Sequence, residues 1–213
     1  MKDEAPESSG AFVVRVLWTM PPVRVTRTYL ELASPADHLP AETPVPQPSV
    51  ERIAECPASF FRYLYAEVGR AHHWVDRLSW TDEQVRRHLA DPTVSIWLLS
   101  RHAAPAGYFE LKRHDDESVE IAYFGLLPEF TGRGWGKYLL TRAVREAWGA
   151  GAVRVWLHTC TLDHPAALPN YLKRGFRPVR EEVYTADVPE SNGMRGGPES
   201  ARAGAAPGAS RRA

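Results

Sequence analysis

Three glycines at alternate positions, Gly132, Gly134 and Gly136, lie between an extended run ending in Leu126-Leu127-Pro128 and a helical stretch over residues 134–148. No other segment constrains the fold as much. Without a Cβ the backbone turns tightly and a bulky anion approaches unobstructed. In the stretch that follows, Leu139, Leu140, Ala143, Val144 and Ala147 form one apolar stripe at helical spacing. The first turn of such a helix aims free N–H groups and a positive dipole end at the loop before it. Strand, loop and helix together make a pyrophosphate site, with charge added by Arg133 and Lys137. A plain structural turn uses the same glycines, so the loop alone leaves both readings open. Two phosphate-binding loops are excluded. A Walker loop needs Gly-Lys-Ser/Thr, whereas Lys137 is followed by Tyr138. A dinucleotide fingerprint needs Gly-x-Gly-x-x-Gly in a βαβ unit, with an acidic residue ending the next strand. Here the glycines alternate singly and the next strand ends in His158-Thr159.

Around this segment the chain reads as one domain, residues 20–188, between two polar ends. Residues 11–18 and 23–32 are predicted strands separated by Pro21-Pro22. Residues 1–19 read as a disordered or dispensable leader. Residues 34–49 hold five prolines and read as an extended connector. Residues 50–55 are predicted to form a short helix stopped by Pro57, and residues 58–68 a longer one stopped by Gly69. Residues 81–90 open with Thr81 and Gln84 at capping-box spacing. The period then changes. Strands are predicted at residues 94–101, 106–113 and 119–127, joined by two short turns into a meander. After the 134–148 helix come a strand over 152–159, a short helix within 165–174, and a last strand over 176–186. Residues 189–213, mostly Gly, Ala, Pro and Ser, are too poor in apolar surface to offset their ordering entropy.

Lys and Arg total 26, as do Asp and Glu, so no whole-molecule basic field favours nucleic acid. The charge is nevertheless uneven. Residues 131–180 hold nine Lys or Arg against two acidic residues, whereas residues 103–129 hold two basic and six acidic ones. The first half suits an anionic ligand and the second an amine. Cys56 and Cys160 make no disulfide framework and no zinc spacing, which suits a reducing compartment. Residues 11–18, interrupted by Arg15, are too short to span a bilayer. The expected location is the cytoplasm, with no membrane partner.

The strand, loop and helix resemble motif A of the GCN5-related N-acetyltransferases, whose loop reads Gln/Arg-x-x-Gly-x-Gly/Ala. Thr131-Gly132-Arg133-Gly134-Trp135-Gly136 matches at both glycines and departs at the first position, where Thr131 stands. About thirty residues on, Ala167-x-x-x-Tyr171-x-x-x-Gly175-Phe176 resembles that family's motif B. The likeness covers residues 94–183. It implies an α+β fold: a mixed, mainly antiparallel sheet with helices on both faces, splayed at the acetyl-CoA site. It also implies direct transfer of acetyl from the cosubstrate acetyl-CoA to a primary amine of a small molecule or peptide.

The resemblance assigns candidate roles. Backbone at Leu126 and Leu127 pairs with the pantetheine arm, and Thr131, Gly132, Arg133, Gly134, Trp135, Gly136 and Lys137 form the pyrophosphate loop. A phenol near the sulfur can protonate a leaving thiolate, so Tyr171 is the candidate acid; the alternative is a packing role beside Leu168 and Leu172. Glu120 is the first candidate base. Simple alternation puts it on one face with Ala122, Phe124 and Leu126, apolar surroundings that favour a neutral carboxyl. Glu110 is the second, and cross-strand pairing with Lys112 or Arg113 is the alternative for both. His73, Trp74 and His158 are candidates to wall the acceptor pocket. No metal is expected, because the 158–164 loop matches no common metal-ligand spacing. A non-catalytic acyl-CoA-binding regulatory or protein-interaction module on the same fold is the alternative function. Monomer and homodimer are both compatible with the sequence.

Overall fold

The computed structural model describes residues 22–186. The strand expected at residues 11–18, the 1–19 leader and the 189–213 tail lie outside them.

Val23–Leu32, rich in β-branched residues, forms strand β1. The proline-rich connector follows, extended apart from one 3-10 turn at Pro35–Asp37. Residues 50–55 do not form the helix that was expected. Ser49–Arg52 is instead strand β2, paired along Trp97–Ser100. With Pro48 before it and Pro57 after, the segment has little length for a helix, and sheet pairing satisfies its backbone instead. Helix α1 is Ala58–Gly69 and α2 is Asp82–Leu89. The capping box of α2 is formed: Gln84 N–H donates to Thr81 Oγ1 at 3.3 Å, and Thr81 N–H to Gln84 Oε1 at 2.7 Å.

The meander is β3 (Val94–Arg101), β4 (Ala104–Arg113) and β5 (Val119–Leu126). Beyond the glycine loop come α3 (Trp135–Gly149), β6 (Val155–Cys160), α4 (Ala167–Lys173) and β7 (Arg177–Ala186). The seven strands make one sheet in the order β2-β3-β4-β5-β6-β1-β7. Every neighbouring pair is antiparallel except β5 and β6. Strand β1 thus runs through the sheet interior, between β6 and β7.

Helices cover both faces, as the resemblance implied. On one face Leu139, Leu140, Ala143 and Val144 of α3 pack with Leu30, Phe109, Ile121 and Leu157. On the other, Phe61, Leu64 and Val68 of α1 and Val85 of α2 pack with Ile96 and Tyr108. The parallel β5–β6 ladder has only two registered pairs, Val119 with Val155 and Glu120 with Trp156. Beyond them the strands part, so the sheet splays at the end of β5.

Candidate active site

A cleft of about 1140 Å³ opens where β5 and β6 diverge. One side of the gap is bare backbone. Leu127 N–H donates to Ala106 O at 3.0 Å, across β4. Antiparallel pairs alternate between bonded and non-bonded. The next pair, Leu126 with Gly107, is therefore non-bonded, and the N–H and C=O of Leu126 point into the gap. Leu127 differs: its N–H is committed to Ala106, and its side chain is buried in the cluster under α1.

At one end of the gap the chain turns through Pro128–Phe130, where Thr131 Oγ1 donates to Pro128 O at 2.8 Å. Gly132 and Gly134 take left-handed φ values of 73° and 76°, and Gly134 is the N-cap of α3. No atom lies within 4 Å of where a Cβ on Gly132 would sit. Thr131, Gly132, Gly134, Gly136 and Lys137 line the cleft. Arg133 and Trp135 support the loop instead. The Trp135 ring stacks on Phe130 at 5.4 Å, and the Arg133 guanidinium lies 5.6 Å from that ring's centre.

Tyr171 stands on α4 across the gap. Pro169 falls in the first turn of that helix, where its missing N–H has no intrahelical partner to lose. The ring meets Phe124 and Phe176 edge-on at 6.2 and 6.1 Å, and the residue lines the cleft. Burial pushes the phenol pKa above its ordinary 10.0, and the Asp163 charge adds to the rise.

Glu120 also lines the cleft, but its surroundings are not those expected from alternation. The β4–β5 register shifts between Ile121 and Tyr123, leaving Ala122 as a bulge. The bulge inverts the pattern, so Phe124 and Leu126 pack with the α3-side cluster that holds Ile121, and Tyr123 with the α1-side cluster. Glu120 meets imidazoles instead. His114 Nε2 lies 3.0 Å from Oε2, and His158 Nε2 lies 3.9 Å from Oε1.

Glu110 is corrected as a candidate base. It is 1% exposed, and Arg77 donates to both its oxygens, at 2.6 and 2.9 Å. His88 Nε2 adds a contact at 3.1 Å. With three contacts on a buried carboxylate whose pKa is lowered by His88 and Arg77, the group is held ionised and is a poor acceptor for a substrate proton. The expected partners Lys112 and Arg113 do not hold it; Lys112 pairs with Asp91 at 2.6 Å. Sequence pattern missed Arg77, which lies in an irregular loop between α1 and α2. It also missed His114, although a hairpin turn six residues before Glu120 was a usable signal.

His73, Trp74 and His158 all line the cleft. His73 has a φ of 55°, and Trp74 packs edge-on against Tyr123 at 5.0 Å and Tyr108 at 6.3 Å. His158 meets the Tyr29 ring at 5.7 Å. His72, after α1, touches His164, before α4, with ring centres 5.8 Å apart. Among the described residues, no group of three or more His, Cys, Asp or Glu is arranged to hold a metal, and no helix is long and apolar enough to cross a membrane.

The model of the acetyltransferase (GNAT) family matches residues 56–176. An uncharacterized N-acetyltransferase of Mycobacterium tuberculosis strain H37Rv is 33% identical over 90 residues, 42% of this chain and 57% of that protein. A Mycobacterium bovis protein, also called an uncharacterized N-acetyltransferase, matches to the same extent. The chain thus spans little more than half the length of these curated relatives. A GCN5-related N-acetyltransferase from Kribbella flavida superposes with a TM-score of 0.57 at 20% identity, over 78% of this chain and 59% of that one. Another, from Sphaerobacter thermophilus, gives 0.56 at 18%, over 78% and 51%. At these identities the solved structures speak for the fold.

Proposed function

The chain belongs to the acetyltransferase (GNAT) family, and on that premise we propose that it transfers acetyl from acetyl-CoA to a primary amine of a small molecule or peptide. The observation that carries the reading is the bare Leu126 backbone, which faces a gap that runs to the N-terminus of α3. The residues fit the cosubstrate. Leu126 offers an unpaired N–H and C=O to an amide-bearing arm. The loop offers N–H groups, a helix dipole and no Cβ at Gly132, with Lys137 as counter-charge. Acetyl-CoA, when bound, supplies the thioester acetyl.

The chain's own residues handle the protons. Glu120 accepts the amine proton, directly or through one water, with His114 fixing one carboxylate oxygen. Tyr171, kept protonated by burial, donates to the departing thiolate. His73, Trp74 and His158 wall the acceptor side. The proposed domain is residues 20–188, which contain the described elements from Val23 to Ala186, and its proposed location is the cytoplasm.

A free-thiol release assay with acetyl-CoA over a library of primary amines tests the reading, beside a melting-temperature shift with acetyl-CoA alone. Turnover with at least one amine and a saturable upward shift are expected. No shift at saturating acetyl-CoA would overturn the cofactor assignment. A shift without turnover across the library would favour a binding module.

A further inference from the structure

Taking the acetyl-transfer reading as its basis, we propose that the acceptor is a primary amine that also carries a carboxylate, and that Arg27 on β1 binds that carboxylate. Arg27 pairs with Cys160 across the β1–β6 ladder, and Tyr29 pairs with His158. Alternate residues share a face, so Arg27 lies on the sheet face of Tyr29 and His158. Arg27 and His158 are diagonal neighbours, about 7–8 Å apart in an ordinary antiparallel pair. His158 Nε2 is in turn 3.9 Å from Glu120 Oε1. The candidate base and Arg27 therefore mark two ends of one cleft floor, a separation that several bonds span.

The charges along the cleft single out Arg27. Arg77 is committed to Glu110 and Lys112 to Asp91. Lys137 stands at the glycine loop, and Lys173 and Arg174 at the end of α4. Arg27 lines the acceptor end. Glu182, opposite it on β7, is taken by Tyr29 Oη at 2.9 Å and Arg180 at 2.7 Å, and no carboxylate among the described residues comes within ion-pair distance of the Arg27 guanidinium. Its Nη2 makes one long bond, 3.4 Å to Tyr184 Oη, and its guanidinium carbon lies 5.0 Å from that ring's centre. Its Nε is buried with no hydrogen-bond partner. A guanidinium has five donors in a fork that matches a carboxylate, so this one is under-satisfied. The amine end carries Glu120 and Asp76 on the cleft wall. A third carboxylate of the lining, Asp163, is held at the end of β6, where Thr159 Oγ1 and the Cys160 N–H donate to its Oδ2 at 2.7 and 2.9 Å. Opposite charges at the two ends select an acceptor that is cationic at one end and anionic at the other.

The test uses straight-chain ω-amino acids, each beside its own primary amide, assayed by thiol release with acetyl-CoA. For the best-fitting length, the wild-type protein is expected to favour the acid over the amide by about tenfold or more in kcat/KM, the worth of one charge-assisted bond. Arg27→Gln is expected to bring that ratio near one, chiefly through KM, and Arg27→Lys to restore part of it. Calorimetric binding of the same pairs reads the preference without turnover. Carboxylate-dependent binding that Arg27→Gln abolishes would support the inference even if no thiol were released, in which case acetyl transfer alone would fail. Equal handling of acid and amide by the wild-type protein would overturn it, as would a preference that survives in Arg27→Gln.

Discussion

Arg77 grips Glu110 through both carboxylate oxygens, at 2.6 and 2.9 Å, where Glu110 is 1% exposed. The guanidinium carbon also lies 4.1 Å from the centre of the Tyr123 ring and 4.8 Å from that of Trp80. The pair ties the loop that carries His73 and Trp74 to the middle of the sheet, so it positions the proposed acceptor wall. Burial alone would raise the Glu110 pKa, but the bonds from His88 and Arg77 outweigh it and hold the group below its ordinary 4.5. A depressed carboxylate stabilises the fold above its unfolded value, and that stability is lost as pH falls through the folded value. Arg77→Met leaves the carboxylate buried with one partner fewer. At neutral pH it is expected to lose about 3–5 kcal/mol in urea denaturation. The deficit should shrink as pH falls below 4.5 and close once it passes the depressed value of the folded wild-type protein, where the charge is gone from both proteins. An equal deficit at both pH values would show that Arg77 acts through packing alone.

Glu120 and Tyr171 face the cleft from opposite sides of the gap, and each carries one proton in the proposed reaction. Glu120→Gln and Tyr171→Phe are each expected to lower kcat by about 10²–10⁴. Both variants should keep the acetyl-CoA melting shift, because neither belongs to the loop or to the Leu126 edge. Wild-type rates in both variants would refute the assigned roles.

Burial of Tyr171 has a kinetic consequence of its own. A phenol whose pKa is raised stays protonated to higher pH than a free tyrosine. The alkaline limb of the kcat profile should therefore show no fall from Tyr171 ionisation up to pH 10.0. A fall near pH 8 that Tyr171→Phe removed would show the hydroxyl to be far more acidic than its surroundings imply.

The sequence was informative where local rules govern structure. The glycine loop, the α3 stripe, the α2 capping box and the meander turns each follow from neighbours in the chain. Long-range geometry was not legible. Ser49–Arg52 has no strand signature of its own, and only pairing with β3 makes it β2. The bulge at Ala122 depends on the register with β4, so alternation gave the wrong neighbours for Glu120. Arg77 reaches Glu110 across 33 positions, which no spacing rule anticipates. The proposed cofactor end of the cleft is built from neighbours in the chain, whereas the proposed acceptor end is assembled from β1, β5, β6 and the loop after α1.

Two glycines with left-handed φ separate binding from folding. Gly132 has a φ of 73° and open space where a Cβ would point; Gly175 has a φ of 95°, and a Cβ there would run into the Asp37 carbonyl oxygen. Gly132→Ala meets no protein atom and carries only the left-handed strain, about 1–2 kcal/mol. Its methyl group would stand in the cleft where the loop N–H groups meet an anion, so the acetyl-CoA melting shift should largely vanish while the protein stays folded. Gly175→Ala adds a backbone clash to the strain, and stability should fall by about 3 kcal/mol or more. Circular dichroism melts with and without acetyl-CoA separate the two. A full shift in Gly132→Ala would remove the loop from the binding site, because that substitution changes nothing else within 4 Å.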